Sequence, residues 1–255
     1  MQAIKKILCP VDFSSVSENA LRYALLLADV LEAEIKLLHV LYPETEVAEI
    51  AVGVPTVTRQ RLEDTEEELR EFVEKVITSV VGRLEHAPAV FSDLEVGATV
   101  PVIHQITNRD EIDLIVMGTH GDERPSWFLG SVARALLRQP EVPVLIVPSG
   151  IQFEPPRHVT FATDLNRTDI LHIMEVARWL GKFDPVIRCV HVHTPGEEIL
   201  DLHLDELSDV FQDKSRGMNV TFHELEEDEV TEALEAFNII YHADLQVMIR
   251  PHFFF

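Results

Sequence analysis

Two rhythms of apolar residues alternate along the chain. Ile4–Val11 is a β-type run, and Asp12–Ser15 is a polar turn. Glu18–Leu31 then places Leu21, Ala24, Leu25, Ala28 and Leu31 at helical spacing. Ser15, with Glu18 three residues on, has the form of a capping box and predicts the start of that helix. Ile35–Leu41 reads as a second strand carrying Ile, Leu and Val along its length; such runs suit strands covered on both faces, as in a parallel sheet. After a loop from Pro43 to Thr58, Arg59–Leu84 predicts a long charged helix whose Leu62, Leu69, Phe72, Val73, Val76 and Val80 share one side. There follow a strand near Val90–Val96, a short helix over Pro101–Asn108 and a strand over Ile112–Met117. A glycine-bearing loop from Gly118 to Gly130, a helix over Ser131–Arg138 and a strand over Val142–Val147 close the half. Strands alternating with helices predict an α/β fold, a parallel sheet wound on both faces with right-handed crossovers.

After a linker-like stretch from Pro148 to Pro156 the pattern restarts. Asp12 lies 152 residues before Asp164, and His39 and Val40 lie the same distance before His191 and Val192. Asp113–Met117 returns as Asp244–Met248, now 131 residues on, so the second copy is about 21 residues shorter between its second and third strands. A shared offset at separated positions indicates duplication. We therefore expect two domains in tandem, residues 1–150 and 151–255, the second degenerate. That copy ends without a last helix or fifth strand, and its Phe253-Phe254-Phe255 end leads us to expect a tail absent from this sequence.

Charge narrows the function. The first 150 residues carry 24 acidic and 13 basic side chains and the remainder 20 and 8, so both halves are acidic and nucleic acid is not an expected partner. An acidic, solvated surface explains this balance more simply than adaptation to high salt. Cys9 and Cys189 sit in apolar runs without partner spacing and read as small core residues. No apolar stretch approaches the ~20 residues of a bilayer span and no signal peptide opens the chain, so the expected location is the cytoplasm, away from membranes.

The sharpest chemistry lies between Met117 and Val132. Gly118, His120 and Gly121 follow a buried strand, and Gly130 and Ser131 open the next helix. Ligands of open α/β sheets bind at the carboxyl ends of strands, glycines admit an anion to the main chain, and a helix start offers free N–H groups and a favourable dipole. No Walker loop and no first-strand Gly-x-Gly-x-x-Gly is present. The alternative is a loop that simply needs flexible hinges.

These motifs resemble those of the universal stress protein family, along nearly the whole chain as a tandem pair. Nucleotide-binding members carry Gly-x-x-Gly, nine residues, then Gly-Ser/Thr; here eight residues, Asp122–Leu129, separate Gly121 from Gly130. Pro10, Val11 and Asp12 match the first-strand motif, whose Asp is implied to hold ribose. Val40 matches a valine whose backbone is implied to bind adenine, and Met117, Gly118, His120, Gly121, Gly130, Ser131 and Val132 match the phosphate region. The resemblance implies flavodoxin-like, Rossmann-like (HUP-type) domains, ATP with or without Mg2+ as cofactor, and a regulatory role in stress responses. It also implies pairing through Val142–Val147, either as a homodimer or as a pseudo-dimer within the chain. In the second copy Ile249 and His252 replace the first two glycines, so no phosphate site is expected there.

Several residues keep two readings. Asp12 is a ribose ligand or a turn-forming Asp. His39 and His191 read first as core histidines; His191, His193, His203 and His223 as a zinc set is the lesser alternative. Trp127 and Phe128 cap the pocket or lie under the loop, and Glu224–Glu229 reads as a solvated acidic run. A slow ATPase lacks an evident base, Asp122 and Glu123 being the only candidate metal contacts near the loop. A nucleotide-free interaction scaffold is the third function class.

Overall fold

A computed structural model describes residues 3–43, 57–119, 129–164, 168–195 and 219–249. These residues form two parallel-sheet α/β domains, one compact unit running from Ile4 to Phe153 and a second beginning at Glu154.

The first unit contains β1 (Lys6–Val11), β2 (Glu34–Leu41), β3 (Val90–Val96), β4 (Leu114–Gly118) and β5 (Val144–Val147), all parallel in the order β3-β2-β1-β4-β5. Its helices are α1 (Ser15–Leu31), α2 (Arg59–Val80), α3 (Thr99–Arg109) and α4 (Ser131–Arg138). Strand alternation sends Leu8, Leu38, Ile115 and Met117 to one face, where they pack with Ile103 and Ile106 of α3 and Ala133 and Leu136 of α4. Ile7, Cys9, Ile35 and Leu37 point the other way and are fully buried, on the side where α1 and α2 touch each other. Each such aliphatic side chain contributes about 1.5–3 kcal/mol on burial.

Sequence periodicity places β3 and α4 to the residue, whereas most other ends shift: β1 starts at Lys6 and not Ile4, β2 starts at Glu34, β4 spans Leu114–Gly118 and not Ile112–Met117, and β5 starts at Val144 and not Val142. The long charged helix stops at Val80 and finishes in a 3-10 turn, Val81–Arg83. α3 begins two residues before Pro101, which puts proline inside the first turn, where its missing N–H costs nothing. α1 is capped by Ser14 and not by Ser15: the Ser14 hydroxyl accepts from the Ser17 N–H at 3.1 Å. Glu18 makes no capping box; its carboxylate pairs with Arg22 and, at 2.7 Å, with Lys75 of α2.

Carboxylates fasten the amino-terminal end of this sheet. Asp113 Oδ2 accepts from the backbone N–H groups of Lys5 and Lys6 at 2.8 and 2.9 Å. Asp29 of α1, which is buried, accepts from the N–H groups of Glu85, His86 and Ala87 at 2.8, 2.7 and 3.0 Å. Burial alone would raise the Asp29 carboxyl, but these three donors outweigh it and hold the group below the usual carboxylate range.

The second unit has β6 (His158–Ala162), β7 (Val186–His193), β8 (Asn219–Glu226) and β9 (Leu245–Met248), parallel in the order β8-β7-β6-β9, with helices α5 (Asp169–Trp179) and α6 (Val230–Ile240). Its order is that of the first sheet without β5. Two hydrogen-bond patterns recur as well. Asp244 Oδ2 accepts from the N–H groups of Arg157 and His158, both at 2.8 Å, as Asp113 does from Lys5 and Lys6. His191 Nδ1 lies 2.9 Å from the Thr163 carbonyl, as His39 Nδ1 lies 2.9 Å from that of Val11.

Candidate functional site

In the first sheet the chain steps outward from β1 to β3 and then returns to β4 on the other side of β1. The strand order reverses between β1 and β4, and the crevice beyond the carboxyl ends at such a reversal is where open α/β sheets bind ligands. Pro10, Val11 and Asp12 end one wall; Met117, Gly118 and Thr119 end the other.

Asp12 leaves the sheet with an exposed carboxylate. One oxygen, Oδ1, accepts from the Ser14 N–H at 3.1 Å and from the Ser14 hydroxyl, which makes the turn into α1. Oδ2 has no hydrogen bond among the described residues. Phe13 sits in the left-handed region at φ 63°, a conformation uncommon for a bulky residue. Its ring stacks on His39, 4.3 Å between centroids, and meets Phe72 edge-on at 5.5 Å. With Nδ1 donating to the Val11 carbonyl, His39 is a satisfied structural histidine that fixes the β1 and β2 ends together. The pairing of β1 with β2 stops at Val11 and His39, so Val40 lies one residue past it, beside the crevice.

On the opposite wall, Met117 is a core residue; its side chain packs under α3 and α4, which leaves only its main chain for a ligand. At Gly118 the absence of a Cβ serves packing. A Cβ there would sit 2.7 Å from Val16 Cγ1 and 3.2 Å from the Val16 carbonyl, so the first turn of α1 occupies the space. The Gly130 N–H donates to the Thr119 carbonyl at 2.6 Å, which brings the start of α4 to the end of β4. Gly130 caps α4 without any side-chain hydrogen bond, and the first helical bond is from the Arg134 N–H to the Gly130 carbonyl. Ser131, exposed, and Val132, half-buried, therefore open a helix with unused N–H groups. The Thr119 hydroxyl is buried without a partner among the described residues. His120, Gly121, Asp122, Glu123, Trp127 and Phe128 lie outside the described residues.

The universal stress protein family matches residues 3–148. The chain belongs to this family. A universal stress protein of Methanocaldococcus jannaschii is 29% identical over 153 residues, 56% of this chain and 94% of its own. One of Archaeoglobus fulgidus, solved by crystallography, aligns with 96% of this chain and 85% of its own at 19% identity, with a TM-score of 0.71, which shows a shared fold. Another universal stress protein, crystallised in complex with cAMP, aligns with 57% of this chain and 98% of its own at 20% identity, with a TM-score of 0.42.

Other candidate chemistry in this universal stress protein is dispersed. Among the described residues no three His, Cys, Asp or Glu side chains group to hold a metal. The zinc alternative is split: His191 and His193 stack 6.1 Å apart on the α5 side of the second sheet, whereas His223 packs against Phe237 and Tyr241 at the α6 side, and His203 lies outside the described residues. Both thiols are free and buried. Burial pushes the Cys9 thiol up to about 12 and raises that of Cys189 as well, so neither is a nucleophile near neutrality. No helix among the described residues is long and apolar enough to cross a membrane.

The main signals absent from sequence reasoning were Phe13, Ser14, Ser17 and Val16. Ser14 and Ser17 were readable as an N-cap with its third helical residue; the Phe13 ring contacts and the approach of Val16 to Gly118 had no local signature.

Proposed function

We propose that the first domain binds an adenine nucleotide, ATP foremost, and that the protein is a stress-response regulator whose pairing with a partner changes with occupancy. The observation that carries this reading is the meeting of strand and helix ends at one crevice. The second carboxylate oxygen of the exposed Asp12 suits a ribose hydroxyl, the main chain past Val40 suits adenine, and the uncapped start of α4 suits phosphate. The residues fit such a group because the crevice offers donors without a competing side chain: the N–H groups of Ser131 and Val132 and the unpartnered Thr119 hydroxyl. His120 and Gly121 complete the phosphate cradle in this proposal, with Mg2+ accompanying the nucleotide. Domains spanning 1–150 and 151–255, arising by duplication, with homodimer or pseudo-dimer pairing through β5 and a cytoplasmic location, belong to the same reading. The repeated Asp113/Asp244 and His39/His191 contacts support the duplication.

Titration with a fluorescent ATP analogue tests it. Asp12→Ala and Gly130→Val should each weaken binding about tenfold or more; Gly130 has φ −62° and ψ 163°, so valine fits the backbone and only crowds the helix start. Saturation at about 100 times Kd should add about 2.7 kcal/mol to stability. Equilibrium dialysis retaining no adenine nucleotide would sink the proposal. The second reading, a nucleotide-free scaffold, is favoured by Gly118, whose lack of a side chain is explained by Val16 without any ligand. It predicts that wild type and both variants behave alike.

A further inference from the structure

The second sheet carries a polar row where the first does not. Thr221, Arg188, Thr160 and Gln246 stand in register across its four strands. Their neighbours Ile187, Cys189, Val159 and Phe161 pack on α5, so alternation turns the row to the opposite face. The matching row of the first sheet is Phe91, Lys36, Leu8 and Ile115.

There Lys36 is neutralised by two carboxylates, Asp93 and Asp110, each 2.7 Å from its Nζ. Arg188 occupies the same place in β7 with neither. Among the described residues it lies 3.5 Å from the His158 Nδ1 and 4.8 Å from the Tyr241 ring centroid, and its charge also reaches His223. None of these is a carboxylate, and the forked N–H groups stay largely available. Beside it Thr160 is only 1% exposed and its hydroxyl has no hydrogen-bond partner among the described residues. Buried polar groups are rarely left so. The Gln246 carbonyl oxygen accepts from Asn238 Nδ2 at 2.7 Å, which leaves the Gln246 amide nitrogen to donate. Asn238 Oδ1 is itself buried and without a partner among the described residues, and can accept a hydrogen bond. Three donors, one of them cationic, and a single acceptor match an oxyanion that keeps a hydroxyl.

We propose that this face of the second domain is a binding site for a small phosphate-type oxyanion, held by Arg188, Thr160 and Gln246. It is separate from the nucleotide crevice of the first domain and does not depend on that reading.

The test is an NMR titration of the 15N-labelled full chain with inorganic phosphate, against sodium chloride of equal ionic strength. The Arg188 Nε–H signal and the backbone amides of Thr160 and Gln246 should shift saturably with phosphate and not with chloride. Phosphate entering the first-domain crevice would report separately, on the Gly118 and Ser131 amides. Arg188→Met keeps a long stem on Tyr241 and should weaken the second-domain response about tenfold or more, and Thr160→Val by roughly three- to tenfold. Identical responses to phosphate and chloride, or an Arg188→Met protein that responds at the Thr160 and Gln246 amides as wild type does, overturn the proposal.

Discussion

The Phe13 ring lies nearly flat on that of His39, 18° between planes and 4.3 Å between centroids. To reach it Phe13 holds a left-handed backbone at φ 63°, a conformation that costs a non-glycine residue on the order of 1–3 kcal/mol. The stack on His39 and the edge contact with Phe72 offset that cost, each by about 0.5–1.5 kcal/mol beyond simple burial. Phe13→Ala should lose both contacts and keep the backbone cost, and we expect a loss of about 2 kcal/mol in urea denaturation. Phe13→Gly loses the same contacts but accepts φ > 0 freely, so it should be the more stable of the two. The reverse order would mean that the backbone is not strained.

Gly118→Ala is expected to destabilise the first domain by about 1–3 kcal/mol through overpacking, because the new Cβ meets a stiff, β-branched Val16 and its main chain. A second change, Val16→Ala, removes the nearer of these contacts and should recover part of the loss. Additive losses in the double variant would argue against the close approach as the cause.

Asp113 and Asp244 perform the same task, each accepting two backbone N–H groups at the start of the neighbouring strand. Asp113→Ala and Asp244→Ala should each cost about 1–3 kcal/mol, since truncation leaves strand-end donors unpaired. Hydrogen exchange locates the effect: faster exchange is expected at Lys5 and Lys6 in one variant and at Arg157 and His158 in the other. No change at those amides would contradict the assignment.

How much of this was readable beforehand depended on whether the cause was local. β3 and α4 were placed to the residue because short apolar periodicity is set by nearest neighbours in sequence. The His39 and His191 reading as satisfied core histidines also held, since an apolar strand leaves an imidazole little else to do. The cap of α1 was misplaced by one residue because Ser14 and Ser15 are chemically alike, and only the backbone at Ser14, φ −66° and ψ 158°, selects between them. Gly118 was read as room for an anion, but the neighbour filling that room comes from α1, about a hundred residues earlier, and spacing carries no trace of it. The same is true of Arg188, whose significance appears only when register sets it against Lys36.

Acid should unfold the first domain through identified carboxylates. Asp110 is held at about 2, first by the Arg109 hydrogen bond and, against burial, by Lys36 as well; Asp29 is also held below its ordinary range by three N–H donors that outweigh its burial. A carboxyl group lowered in the folded state adds stability above its unfolded value, about 4, and that stability is lost as pH falls through the folded value. Stability set by these two groups should therefore be flat near neutrality; the Asp110 share should fall between about pH 4 and pH 2, and the Asp29 share should fall below about pH 4. Asp29→Asn should cost about 3 kcal/mol at pH 7, because an amide turns donors toward at least one of the three N–H groups. Its deficit against wild type should shrink as pH falls below the ordinary carboxylate range and the wild-type carboxylate is itself protonated. A deficit that stays constant from pH 7 to pH 2 in urea melts would show that Asp29 acts through packing and not through its charge.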